Sequence, residues 1–308
     1  MHRTIAIAAV TALALALSAC GDDPEPDAAP SAARPTVTSP PGSATPSPST
    51  GTEGVVYVAL GDSLAAGYQP GGTELRETAY PALTAGRLAG EGPGLEVENL
   101  GCSGETTTSL IEGGRCDFDE GSQLAQAESV LEQRGDDVAL VTIDIGGNDL
   151  LRCVRGGAEV DTVCVADGVQ TVEKNLPTIL GRLRAAAGDD VPVLVLGYYN
   201  PWLAAKALDQ PVKNLDDAAK AYTALSRAIR DAAEATQTTF VGLDEAFATT
   251  DTTPTEINGR TVPENAARIC TLTNICTVGD IHLTDEGAAT VARVLAEAAA
   301  DAGVRASS

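Results

Sequence analysis

The sequence predicts an α/β domain over residues 54–304, with helices packed on both faces of a five-stranded parallel sheet. Two observations carry this. The first is a set of five apolar, β-branched runs: Val55–Leu60, Leu95–Leu100, Val138–Ile145, Val191–Gly197 and Thr239–Leu243. Runs that are apolar at successive positions suit strands covered on both faces, as in a parallel sheet. The second is the helical spacing between them, over Tyr80–Leu88, Gln123–Arg134 and Val169–Ala187, and at Leu215, Tyr222, Leu225 and Ile229. Such spacing gives a helix one apolar stripe to lay on a sheet. A last helix is predicted from Thr284, with Asp285 and Glu286 at its positive end and Val291 and Leu295 facing inward. Strands alternating with helices make three layers, α/β/α, and the sites of such sheets lie at the carboxyl ends of the strands.

Residues 1–53 carry no such pattern. A short basic tip (His2, Arg3) leads into an apolar run from Ile5 to Leu17, then Leu17-Ser18-Ala19-Cys20. The run is too short for a comfortable membrane span and reads as a secretory signal over residues 1–19. Its last four residues resemble a bacterial lipobox, which implies a lipid on Cys20. From there to residue 53 the chain is mostly Pro, Ser, Thr, Ala, Gly and Asp. Such a segment cannot bury enough apolar surface to offset the entropy of ordering, and is expected to be a disordered tether. The expected location is the outer face of a cell membrane, held by the lipid alone, or the exterior after release.

Setting Cys20 aside, six of the seven cysteines remain, as Cys102 and Cys116, Cys153 and Cys164, and Cys270 and Cys276. In an exported protein an even set indicates disulfides, and nearest-neighbour pairing is expected because each pair falls within one predicted loop. No Cys-x-x-Cys pair occurs and the chain beyond the leader holds one histidine, so no metal site is expected. The formal charge of −23 argues against a nucleic-acid partner, which needs a basic surface. A monomer without a cofactor is expected.

Four short segments could carry chemistry. His282 is the only imidazole outside the leader and lies in a polar loop just before the last predicted helix, where a rigid scaffold commonly places catalytic groups. Gly61-Asp62-Ser63-Leu64 follows the first strand and puts a hydroxyl at the sheet's carboxyl edge; it also reads as an ordinary capping turn. Asn99-Leu100-Gly101-Cys102-Ser103-Gly104-Glu105-Thr106 follows the second strand, with glycines that let an amide face a ligand. Ile145-Gly146-Gly147-Asn148-Asp149 follows the third, where an asparagine amide could meet a developing oxyanion.

Ser, Gly, Asn and His in this order and placement resemble the GDSL/SGNH hydrolase family, named for those residues. The resemblance covers nearly all of residues 55–303 and implies a flavodoxin-like three-layer fold. It further implies a lipase or esterase that works without cofactor. Ser63 would attack an acyl carbonyl. The amides of Ser63 and Gly104 and the side chain of Asn148 would hold the oxyanion. His282 would take the serine proton and return it to the leaving alkoxide. A carbohydrate O-deacetylase or an acyltransferase of the cell envelope is the alternative.

The sequence departs from the family in two places. An aspartate usually stands three residues before the histidine, but that position is Gly279, and Asp280 lies two before it. Either the Asp280 carboxylate or the Gly279 carbonyl would orient the imidazole; the carbonyl is favoured because it keeps the register of the family motif. Leu283 stands where proline often follows the histidine. Tyr198-Tyr199-Asn200-Pro201-Trp202, after the fourth strand, places aromatic surface at the same edge, read first as core packing and second as a pocket wall.

Overall fold

A computed structural model describes residues 55–89, 94–155, 159–208, 215–257 and 259–304. The leader, Cys20 and the tether lie outside the described residues. The described chain opens with β1 (Val56–Gly61) and the one-turn α1 (Ser63–Ala66). A small hairpin, β2 (Tyr68–Gln69) with β3 (Thr73–Glu74), leads to α2 (Tyr80–Ala89) and β4 (Glu96–Asn99). Next come α3 (Thr107–Glu112), α4 (Gln123–Arg134) and β5 (Val138–Asp144). After α5 (Gly147–Leu151), a second hairpin pairs β6 (Val154–Arg155) with β7 (Glu159–Val160), and the long α6 (Thr162–Ala187) follows. β8 (Val193–Leu196), α7 (Ala204–Leu208), α8 (Leu215–Ala235) and β9 (Thr239–Val241) come next. A third hairpin, β10 (Pro254–Ile257) with β11 (Arg260–Pro263), precedes α9 (Glu264–Leu272), α10 (Ile275–Val278) and α11 (Asp285–Asp301).

The five predicted strands form one sheet in the order β4-β1-β5-β8-β9, with every pairing parallel. Taken in chain order this is 2-1-3-4-5, the flavodoxin-like arrangement. Its order reverses between β1 and β5, and a crevice opens there at the strands' carboxyl ends. β1 is buried along its whole length. Its side chains alternate between the faces: Val56, Val58 and Leu60 join the core under α4, α6 and α8, while Tyr57 and Ala59 join the core under α2, α9 and α11.

Of the helices that differ from the sequence reading, α6 and α9 matter most for the core. α6 begins at Thr162, seven residues before the expected Val169, because Asp161 caps it: the Cys164 N–H donates to the Asp161 carboxylate at 3.1 Å. Gly168, a poor helix former, is required where it stands, since a Cβ there would meet the Asp149 carbonyl oxygen at 2.5 Å. α9, which the sequence reading missed, packs Ala266, Ile269 and Leu272 into the core.

The six cysteines pair as nearest neighbours: Cys102–Cys116, Cys153–Cys164 and Cys270–Cys276. None of these sulfurs belongs to a strand of the central sheet.

Candidate active site

Ser63 is the first residue of α1, directly beyond the carboxyl end of β1. Asp62 caps that turn, accepting the Leu64 N–H at 3.0 Å. The strand end is fixed from below by Gln123 of α4, whose amide accepts the Gly61 N–H at 2.9 Å and donates to the Gly61 carbonyl at 3.0 Å. The Cys102 N–H adds a second donor to that carbonyl at 3.0 Å. The turn that carries Ser63 therefore stands on satisfied backbone and cannot drift far.

The chain's far end brings His282 to it. The His282 carbonyl accepts the Asn274 N–H at 2.9 Å, Thr273 and Leu283 form a β-bridge, and Cys270–Cys276 closes the segment just upstream. Leu283, in the place where proline was expected, buries its side chain in the core. His282 Nε2 then lies 2.8 Å from Ser63 Oγ, and the Tyr68 ring covers the imidazole with centroids 4.4 Å apart.

The other ring nitrogen corrects the favoured orienting group. Nδ1 lies 2.6 Å from the Asp280 carboxylate, and the Gly279 carbonyl is not its partner. The spacing of two works because Asp280 makes an Asx turn: the same Oδ1 accepts the His282 backbone N–H at 2.8 Å. A carboxylate two residues upstream thus folds back over the histidine's own amide and reaches the ring. Asp280 accepts from Nδ1–H, which leaves the Nε2 lone pair facing the serine hydroxyl.

The Asn148 side chain, at the start of α5, donates to the Glu105 carbonyl at 2.9 Å and lies 3.3 Å from Asp62 Oδ2. The first contact fixes the amide. The second is long, and Asp62 Oδ2 already accepts the Tyr198 hydroxyl at 2.7 Å, so one Asn148 proton is only loosely held. The backbone amides of Ser63 and Gly104 have no hydrogen-bond partner among the described residues. Gly104 adopts φ +81°, and a Cβ there would strike the Arg115 guanidinium at 2.2 Å. The Cys102–Cys116 bond closes the loop that carries both.

Ser63, Asn148 and His282 line one cavity, with an empty volume of about 740 Å³ including its open mouth. Tyr198, Tyr199 and Trp202 line it too, so both readings of that segment hold in part. Tyr199 is buried, stacks on Phe247 and donates to the Ile281 carbonyl at 2.5 Å, which braces the histidine loop. Among the described residues no cluster of His, Cys, Asp and Glu converges to hold a metal ion.

Sequence reasoning missed a buried acid pair behind the serine. Asp62 is 2 % exposed and Asp144, the last residue of β5, is fully buried. Asp144 accepts the Tyr80 hydroxyl at 2.6 Å and the Asp62 N–H at 3.3 Å. Burial first, and then the neighbouring Asp62 charge, pushes the Asp144 carboxyl well above the ordinary range. The signal was a lone carboxylate inside an apolar strand covered on both faces.

A raised acid binds more protons in the folded chain than in the unfolded one. Stability should therefore fall as pH rises above about 4, where the unfolded group ionises, toward the folded pKa. Glu105 and Asp149, also raised by burial, act in the same direction. Asp144→Asn mimics the protonated acid and is expected to flatten this slope by up to about 1.4 kcal/mol per pH unit, one proton's worth. Thermal melts of both proteins across pH 5–8 check this, and parallel curves would refute it.

Comparison with known proteins follows the same line. A sequence profile of the GDSL-like lipase/acylhydrolase family matches residues 59–290. An extracellular lipase from Streptomyces rimosus superposes with a TM-score of 0.52 at 22% identity, covering 79% of this chain and 99% of that one. A lipase/acylhydrolase from Enterococcus faecalis gives a TM-score of 0.49 at 16% identity, covering 82% and 99% respectively. No curated protein matches the chain.

Proposed function

The chain belongs to the GDSL-like lipase/acylhydrolase family, and from that premise we propose that this carboxylic ester hydrolase works through an acyl-serine on Ser63. The 2.8 Å contact between Ser63 Oγ and His282 Nε2 carries the reading, because a serine hydroxyl is a weak nucleophile without an adjacent base. His282 takes the proton as Ser63 attacks the ester carbonyl. Asp280 stabilises the imidazolium that forms. Negative charge moves onto the carbonyl oxygen, where the Ser63 and Gly104 amides and the loose Asn148 proton receive it. The tetrahedral intermediate collapses, the alkoxide leaves with the proton from His282, and water repeats the sequence to free the acid.

Beyond the reacting groups, Asp62 and the aromatic rim, the cavity wall is mostly aliphatic, with Leu, Val, Ala and Ile side chains beside Gly147 and Pro201. That lining suits an acyl chain better than a glycan, which supports lipase or esterase over carbohydrate deacetylase. The test is covalent labelling by a fluorophosphonate. One adduct per chain on Ser63, lost in Ser63→Ala and accompanied by hydrolysis of p-nitrophenyl esters, is the expected result. A folded protein that neither labels nor hydrolyses would overturn the proposal.

We also propose that residues 1–19 are removed on export and that Cys20 carries the lipid, on the strength of Leu17-Ser18-Ala19-Cys20. Mass spectrometry of the protein's N-terminal peptide should find a diacylglyceryl cysteine. An unmodified Cys20, or a start elsewhere, would defeat the anchor.

A further inference from the structure

Val160 of β7, Val165 of α6 and Ala221 of α8 form part of the wall of the active-site cavity. The same three residues line a second, open groove between α6 and α8. On that far side the groove is lined by Ala166, Val169 and Ala224 together with the polar Thr162, Gln170, Glu173, Asp217 and Lys220. One layer of small aliphatic side chains therefore divides the apolar cavity that begins at Ser63 from solvent.

The layer is held firmly. Cys153–Cys164 ties the base of the β6–β7 hairpin to the first turn of α6. The Asp161 N–H donates to the Cys153 carbonyl at 2.9 Å, and the Asp161 side chain caps α6. Val160 and Val165 flank this strap and are 3 % and 8 % exposed. Ala221 faces them from α8, also 8 % exposed, and its single methyl leaves the partition thin.

We propose that Val160, Val165 and Ala221 form the stop that sets acyl-chain length in this hydrolase. The inference rests on the ester-hydrolase reading and deepens it by naming the substrate class, esters of unbranched fatty acids of limited length. The chain lies along the aliphatic wall from Ser63, and its methyl end meets the partition. An acyl carbon that finds room is favoured by burial, and one that meets the partition is excluded. In wild type, kcat/KM for p-nitrophenyl esters should rise roughly fourfold per added methylene up to the stop, and then level or fall.

The experiment is that panel, acetate through palmitate, on wild type, Ala221→Leu and the double variant Val160→Ala/Val165→Ala, each checked by thermal melting. Ala221→Leu adds bulk between two cavities and should move the break to shorter chains, with about tenfold or greater loss just beyond it. The double variant should move it to longer chains by a similar factor. Each profile is read relative to that variant's own acetate hydrolysis, so a general loss of activity is separated from a moved break. If the double variant does not fold, Ala221→Leu alone decides. An unmoved break in the folded variants, with acetate hydrolysis intact, would overturn the stop and leave the hydrolase reading standing. A wild type inactive on every ester would overturn the hydrolase reading and the stop with it.

Discussion

Replacing Ser63 or His282 with alanine is expected to lower kcat about 10⁶-fold, and replacing both should cost no more than either. The reason lies in the geometry. Ser63 Oγ meets a single nitrogen, His282 Nε2, at 2.8 Å, and His2 and His282 are the only histidines in the chain. No second imidazole in the described domain can take over. Once the base is lost the hydroxyl is inert, and once the hydroxyl is lost the base has nothing to activate. Single-turnover kinetics with p-nitrophenyl acetate would measure the three variants. Near-additive losses, or a His282→Ala loss below about a hundredfold, would show that the two residues do not act as a unit.

The second large effect is expected at Asp280. Asp280→Ala should reduce kcat on the order of 10⁴-fold, since it frees the imidazole to take the wrong tautomer and removes the charge that balances the imidazolium. Asp280→Asn should lose clearly less. The oxygen that faces Nδ1 is also the one that accepts the His282 backbone N–H, so that N–H would hold an asparagine with its carbonyl oxygen toward the ring. The tautomer would be kept and only the charge lost. Equal losses in the two variants would mean that the Asx turn does not govern orientation. Full activity in Asp280→Ala would return the role to a backbone carbonyl.

The position of Asp280 also shows where the sequence reading stopped. Spacing was read as register, and register favoured the Gly279 carbonyl. A side chain that folds back onto its own turn is invisible to register, because its reach depends on the turn and not on the residue count. The central strands β1, β5 and β8 were legible because their residues are almost all apolar and buried on both faces. The hairpins at Tyr68–Glu74, Val154–Val160 and Pro254–Pro263 were not, since strands of two to four residues hold too few side chains for a period to appear. Ser63, Asn148 and His282 were readable because strand ends and helix starts placed them. Asp144 was hidden within a run counted as apolar, and its partners Tyr80 and Asp62 come from elements far apart in sequence.

Each covalent cross-link closes a different working part: the Gly104 loop, the partition around Val160, and the approach to the Asp280–His282 turn. The strands beneath hold together without any of them. Dithiothreitol should therefore silence turnover at temperatures where the circular dichroism of the sheet and helices is still unchanged. A chain that has gained its shape but not yet its oxidised sulfurs would be folded and idle, so catalytic competence would arrive as a separate, later event than folding.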